Sequence, residues 1–286
     1  MDEEIAKEIA KQVTNAILSL KSESNYVKDY LVPILTPFLS AILGYLVARF
    51  SFGRSEKIKQ TALNIENGNK IFLKVADIQD SLVAVKLNYY NKINDDPHNR
   101  IIGYHYIVSN MEMIKVDIST ISFLINRFDP SDEAKSWYNI RRINMLFDNY
   151  NAFVMLFNEK NELSNEFQNR INSNKGNGKI TSEEIWKYGG NDLIPKLISL
   201  NEKAIYFLDD LLKESIDFLE SYEKIVKSSV DYKLVYKQAR IFGYVSPDKE
   251  QKIYKRVIDV NYSALAEISG IDEEFWRKEL DFGYER

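Results

Sequence analysis

Residues 30–48 read YLVPILTPFLSAILGYLVA, nineteen positions without a charge, closed by Arg49. A helix needs about 20 mostly apolar residues to cross roughly 30 Å of hydrocarbon. The stretch therefore predicts one spanning helix over residues 30–52, with a buried core helix as the alternative. Pro33 suits a first turn, where a missing N–H costs little. Pro37, one turn further in, predicts a kink or a later start, with Thr36 placed to satisfy a freed carbonyl. Tyr30, Tyr45, Phe50 and Phe52 suit the membrane interfaces, and Arg49 can extend toward water. An acidic, amphipathic segment precedes the run, so it reads as a permanent anchor rather than a cleaved signal.

Flanking charge sets the expected orientation. Arg49, Arg54, Lys57 and Lys59 follow the run closely, whereas Lys21 and Lys28 precede it. The excess predicts a single-pass protein with its C-terminal part in the cytoplasm. Ser40, Gly44 and Ala48 recur every four residues, a small-residue face that allows close helix approach and self-association in the bilayer.

Composition narrows the chemistry. The 286 residues contain no cysteine, which removes disulfides, thiol nucleophiles and cysteine–metal sites. Net charge is −4, so bulk electrostatics do not point to nucleic acid. Abundant Asn, Ile, Lys and Tyr are the residues of AT-rich codons, and with the cysteine-free composition they lead us to expect a bacterial inner-membrane protein.

Outward from the apolar run, periodicity predicts helices throughout. Residues 1–29 carry an amphipathic helix with Ile5, Ile9, Val13, Ala16, Ile17 and Leu20 on one stripe. Its mixed-sign polar face fits packing on protein as well as on a membrane surface. Residues 55–93 read as a long helix with Ile58, Ala62, Ile65, Phe72, Val75, Ile78, Leu82, Val85 and Tyr89 inward, bent at Asn67-Gly68-Asn69 and continuing from the membrane as a stalk. Further helices are expected over 99–128, 132–171, 182–188, 192–230, 233–242, 249–260 and 272–280. The expected fold is all-α: one N-terminal transmembrane helix followed by a bundle of long antiparallel helices. Segments 53–171 and 191–286 form its two parts, joined by a linker with a short helix at 172–190.

Three constellations carry candidate chemistry. Residues 173–184, SNKGNGKITSEE, resemble a calcium-binding EF-hand loop: Gly178 falls at the turn position, Asn177 and Thr181 at ligand positions, and Glu184 at the bidentate position. Lys175 stands where that pattern has a ligand. Residues 100–105, RIIGYH, resemble the R-x4-H motif of HEPN ribonucleases, all-helical and often dimeric. The resemblance implies that Arg100 holds a phosphate and His105 moves a proton. Finally, residues 224–256 carry nine Lys or Arg against three acids. Within them Lys233, Lys237, Arg240, Lys252, Lys255 and Arg256 are candidates for anionic lipid, a protein partner or nucleic acid. The alternative is internal neutralisation by the acidic stretch 202–223.

No phosphate-binding loop, serine elbow or zinc spacing occurs, and no cofactor is expected. The leading expectation is a non-enzymatic, membrane-anchored interaction, sensor or scaffold protein with a cytoplasmic protein partner. The alternatives are a membrane-acting effector of a phage-defence or toxin system and a membrane-tethered nuclease.

Overall fold

Apolar residues recurring at three and four positions give helices the stripe they need to bury. The computed structural model describes residues 2–20, 31–127, 137–175 and 180–280. Its elements are α1 (Asp2–Leu20), α2 (Val32–Leu87), α3 (Pro97–Gly103), a 3-10 helix (Ile118–Arg127), α4 (Ile140–Asn174), α5 (Ser182–Ser229), a 3-10 turn (Tyr232–Leu234), α6 (Tyr262–Ser269) and α7 (Glu273–Glu279). No strand occurs among the described residues. The chain divides into two compact units, Met1–Leu63 with Lys233–Val235, and Asn64–Tyr232 with Tyr236–Arg286. The division falls inside α2, between Leu63 and Asn64.

In the first unit, α1 is helical as expected. Within α2, Pro37 is accommodated in the helix. The Thr36 hydroxyl donates to the Val32 carbonyl at 2.7 Å, one residue before the carbonyl that Pro37 leaves without its usual donor.

The second unit holds the core. Along α2 the buried positions run Ile65, Gly68, Ile71, Phe72, Val75, Ile78, Gln79, Leu82, Val85 and Lys86. Asn67-Gly68-Asn69 does not interrupt the helix. A Cβ at Gly68 would stand 2.8 Å from the Tyr222 hydroxyl, so glycine here allows close approach. Asn69 accepts from the Tyr222 hydroxyl (2.8 Å) and the Phe242 N–H (3.1 Å) and donates to the Arg240 carbonyl (2.8 Å). Poor helix formers sit here because they dock other segments.

Pro97 opens a helix as well as following one. Asp96 caps α3 by accepting from the His98 N–H, with Pro97 in the first turn. The helix expected over 99–128 ends at Gly103, and residues 104–117 run without helix. Side chains from α4 satisfy this backbone instead: Asn161 bonds Ile107 and Asn151 bonds Ile114. Ile107, Val108, Ile114 and Val116 are β-branched and lose rotamer freedom in a helix, which favours the exchange.

Helix α4 begins at Ile140, capped by Asn139, eight positions later than expected; residues 128–136 lie outside the described set. Met145 is 58% exposed, whereas Leu146, Phe153 and Phe167 are buried. Thr181 and Glu184 cap α5 reciprocally. The two helices expected at 182–188 and 192–230 meet at a kink in α5, where Gly190 adopts φ 77°. Helices α4 and α5 pack along each other. A cluster around Ile101, Phe167, Leu197, Tyr206, Leu265 and Trp276 joins α3, α4, α5, α6 and α7.

The helices expected over 233–242 and 249–260 do not form; only Tyr232–Leu234 makes a 3-10 turn. Buried side chains again take the backbone. Lys86 donates to the Lys255 carbonyl at 2.7 Å, Asp209 accepts from the Val257 N–H at 2.8 Å, and Arg100 donates to the Ile258 carbonyl. The C-terminal helix is present as α7, preceded by α6, whose end is set by Gly270 at φ 68°.

Candidate functional site

The apolar length of α2 is the first candidate. Its most hydrophobic eighteen-residue window has a mean hydropathy of 1.6, and none of that window is buried. Ile34 is 72% exposed and Phe52 73%. Ser40, Gly44 and Ala48 are exposed, and a Cβ added at Gly44 would meet nothing within 4 Å. The helix is long and apolar enough to cross a membrane. Burying a large aliphatic or aromatic side chain is worth about 1.5–3 kcal/mol, and this run forgoes most of that gain: Val32, Leu35, Leu39 and Leu43 are half-buried and the rest are exposed.

The second candidate lies within the second unit, where buried charges line the inner face of α5. A cleft of about 480 Å³ is lined by both acids and bases, among them Lys86, Asp209, Arg142, Glu214, Lys249 and Arg256. Lys86 meets Asp209 at 2.6 Å with both side chains almost wholly buried. Arg142 lies 3.2 Å from Asp217 and 3.7 Å from Glu214, and stacks 3.7 Å above the Trp137 ring. Lys249 pairs with Glu220 at 2.8 Å. Behind the cleft, Arg100 and Glu202 form a pair at 2.6 Å with neither side chain exposed. Burial pushes the Glu202 carboxyl up to about 7, against the pull of Arg100, and raises Asp209 in the same sense. It also raises the hydroxyls of Tyr89 and Tyr104, whose oxygens have no hydrogen-bond partner.

Arg100 is held within this arrangement. Its Nε donates to the Asn94 carbonyl at 2.7 Å, one terminal nitrogen to Glu202 and the other to the Ile258 carbonyl. A guanidinium with no exposure and all three nitrogens engaged has no face for a phosphate. The R-x4-H spacing therefore marks a structural bolt between α3, α5 and the segment around residue 258. His105 stands apart from that bolt in a recess of about 270 Å³ with Ile101, Ser164 and Phe167. Burial and the neighbouring Lys92 and Lys160 lower its imidazole below the usual range.

The EF-hand-like residues also have local roles. Glu184 accepts from the Thr181 N–H at 2.9 Å and pairs with Lys175. That lysine contact, followed by the Thr181 N–H, holds the Glu184 carboxyl below the usual carboxylate range. Asn177 lies outside the described residues. Among the described residues no group of three or more His, Asp or Glu is placed to hold a metal.

The basic segment has no helix to align Lys233, Lys237 and Arg240 on one face. All three are exposed, as are Lys252, Lys255 and Arg256. Lys255 pairs with Glu250 at 2.6 Å, and Arg256 lies 5.0 Å over the Tyr206 ring. The acidic stretch 202–223 is met partly by this segment, through Glu220–Lys249 and Glu223–Lys227, and otherwise by Lys86, Arg100 and Arg142.

The residues that sequence reasoning passed over are the buried charges Lys86, Lys160, Glu202 and Asp209. Their signal was positional: Lys86 follows Val85 and Asp209 follows Leu208 on otherwise apolar stripes. Comparison with known protein families, curated proteins and solved structures finds no match to this chain.

Proposed function

We propose that this chain is a membrane-anchored helical interaction protein: the apolar start of α2, residues 32–52, spans the bilayer, and the unit beginning at Asn64 serves as a non-enzymatic sensor or scaffold. One observation carries the reading, the apolar window of α2 with no buried residue, on a chain that has a separate, well-filled core. The basic flank Arg49, Arg54, Lys57 and Lys59 favours a cytoplasmic location for the folded unit at the inner membrane. Exposed Ser40, Gly44 and Ala48 offer a face for pairing with a sister helix. The exposed cations from Lys233 to Arg256 offer contacts to an acidic protein partner or anionic lipid.

Paired C-terminal fusions test it, one to a fluorescent protein that matures only in the cytoplasm and one to a phosphatase active only outside. Fluorescence without phosphatase activity, in a product that resists carbonate extraction, is the expected result. A product released by carbonate would remove the anchor, and phosphatase activity alone would reverse the orientation.

A further inference from the structure

The recess beside His105, about 270 Å³ in volume, is lined from α3, α4 and Ile180. Ser164, Phe167, Gln168 and Ile171 fall at i, i+3, i+4 and i+7 of α4, which puts them on one face. Burial orders the wall. Ile101, Ser164 and Phe167 are buried at its inner end, while His105, Gln168 and Ile171 are half-buried toward its mouth. No Lys, Arg, Asp or Glu lines it.

The Ser164 hydroxyl, on a side chain 3% exposed, has no hydrogen-bond partner. A helical serine can turn back onto the carbonyl four residues earlier. Ser81, Ser173, Ser229 and Ser269 do so at 2.7–2.9 Å. Ser164 instead leaves one group open that can both donate and accept. A buried hydroxyl left in this way is held at a cost that a bound polar group would remove.

His105 is the second polar feature. Desolvation, then Lys92 and Lys160, lower its imidazole below the usual range, so the ring is neutral at neutral pH. A neutral imidazole presents one donor and one acceptor nitrogen. The same two lysines oppose a cation at this place. A carboxylate would lose its water against a wall that holds no fixed cation. Mostly apolar hollows with a few convergent polar groups are the usual form of small-molecule sites. A cavity of about 150 Å³ holds benzene, and drug-sized ligands take about 300–1,000 Å³. The recess therefore suits a single ring or a short chain.

We propose that this recess binds a small uncharged molecule with an apolar body and one hydroxyl group, a phenol or short alcohol. The hydroxyl meets Ser164 and His105, and the body lies against Ile101, Phe167 and Ile171. The inference does not rest on the membrane reading, and it gives the folded unit a ligand to sense.

Phenol and toluene have nearly the same shape and differ by the hydroxyl, so together they test the site. The full-length protein, with isotope-labelled isoleucine methyl groups, is titrated with each in detergent micelles and followed by NMR. Ile101, Ile102, Ile171 and Ile180 report from the wall, and Ile78, buried on α2, reports on the core elsewhere. These local signals separate binding from uptake by the micelle. Saturable shifts at the four wall methyls with phenol, and none at Ile78, are expected. Ser164→Ala removes a hydroxyl that has no partner, so the fold is kept, and an unmoved Ile78 signal checks this. The variant should bind phenol about three- to tenfold more weakly, the loss of one neutral hydrogen bond, and should not weaken toluene. Three results would overturn the proposal. They are shifts no larger at the wall than at Ile78, which leaves water alone in the recess, equal weakening of phenol and toluene by Ser164→Ala, and tighter binding of benzoate or benzylammonium than of phenol.

Discussion

Helix α2 carries two regions of opposite character on one rod. From Val32 to Ala48 it carries no charge and no residue is buried; from Ile65 to Lys86 it buries ten residues at three- and four-residue spacing. A helix apolar on every side asks for an apolar medium, while a stripe asks for a neighbouring helix. The difference shows that total hydrophobicity and the pattern of hydrophobicity carry separate information. The first identifies a surrounding and the second a packing partner.

The largest effect that would sharpen this contrast is at the buried pair. Arg100→Ala leaves Glu202 without its cation and should destabilise the second unit by about 3–5 kcal/mol, read by denaturant unfolding. Arg100→Met with Glu202→Leu should recover most of that loss, because burying a pair offsets little beyond its own desolvation. Neither variant should alter carbonate-resistant membrane retention. Next come matched substitutions on α2. Leu82, fully buried, should cost about 2–5 kcal/mol of stability as Leu82→Ala and leave retention intact. On the proposed membrane reading Ile42→Arg should do the reverse, since an arginine at the centre of a spanning helix costs about 2.5–3.5 kcal/mol of insertion and Ile42 is exposed. Loss of stability from Ile42→Arg would break the contrast.

Acid–base behaviour should belong to the packed region alone. Burial holds the Lys160 amine down at about 7, from an ordinary value of 10.5. The unfolded chain therefore binds more protons between those values, and this group makes stability rise as pH increases from 7 toward 10.5. Glu202, raised from 4.5 to about 7, has the opposite sign: the folded chain binds the extra proton, and stability falls as pH increases from 4.5 to 7. Lys160→Met should flatten the alkaline limb of the stability profile and Glu202→Gln the acidic limb. Unfolding curves taken from pH 5 to 10 separate the two.

Much of the helical order was legible because periodicity is a local signal. The stripe from Ile65 to Val85 was readable from spacing alone, and so was the interruption between helices expected at 182–188 and 192–230. The spans 104–117 and 235–261 were not legible, because what keeps them out of helix lies far along the chain: Asn151 and Asn161 for the first, Lys86, Arg100 and Asp209 for the second. The same distance effect hid the partner of Arg100. A spacing of five residues looked like a phosphate site, while its partner Glu202 stood about a hundred positions away.

The smallest effects set two glycines of α2 against each other. Alanine in a helix interior is favoured over glycine by about 1 kcal/mol, so propensity alone predicts that both Gly44→Ala and Gly68→Ala stabilise. At Gly44 nothing opposes the gain, since no atom lies within 4 Å of the added carbon; helicity should rise slightly, and Gly44→Ile should weaken any pairing of spanning helices in cross-linking. At Gly68 the added carbon meets the Tyr222 hydroxyl at 2.8 Å. That hydroxyl must move, and its bond to Asn69, worth about 0.5–1.5 kcal/mol net, is lost with it. Overpacking adds a further cost of about 1–3 kcal/mol, so Gly68→Ala should be net destabilising in denaturant unfolding. Opposite signs from one substitution on one helix would place the line between open rod and packed core between residues 44 and 68. A gain at both positions would mean that α5 yields to α2 at Tyr222 and that the packed region begins further along.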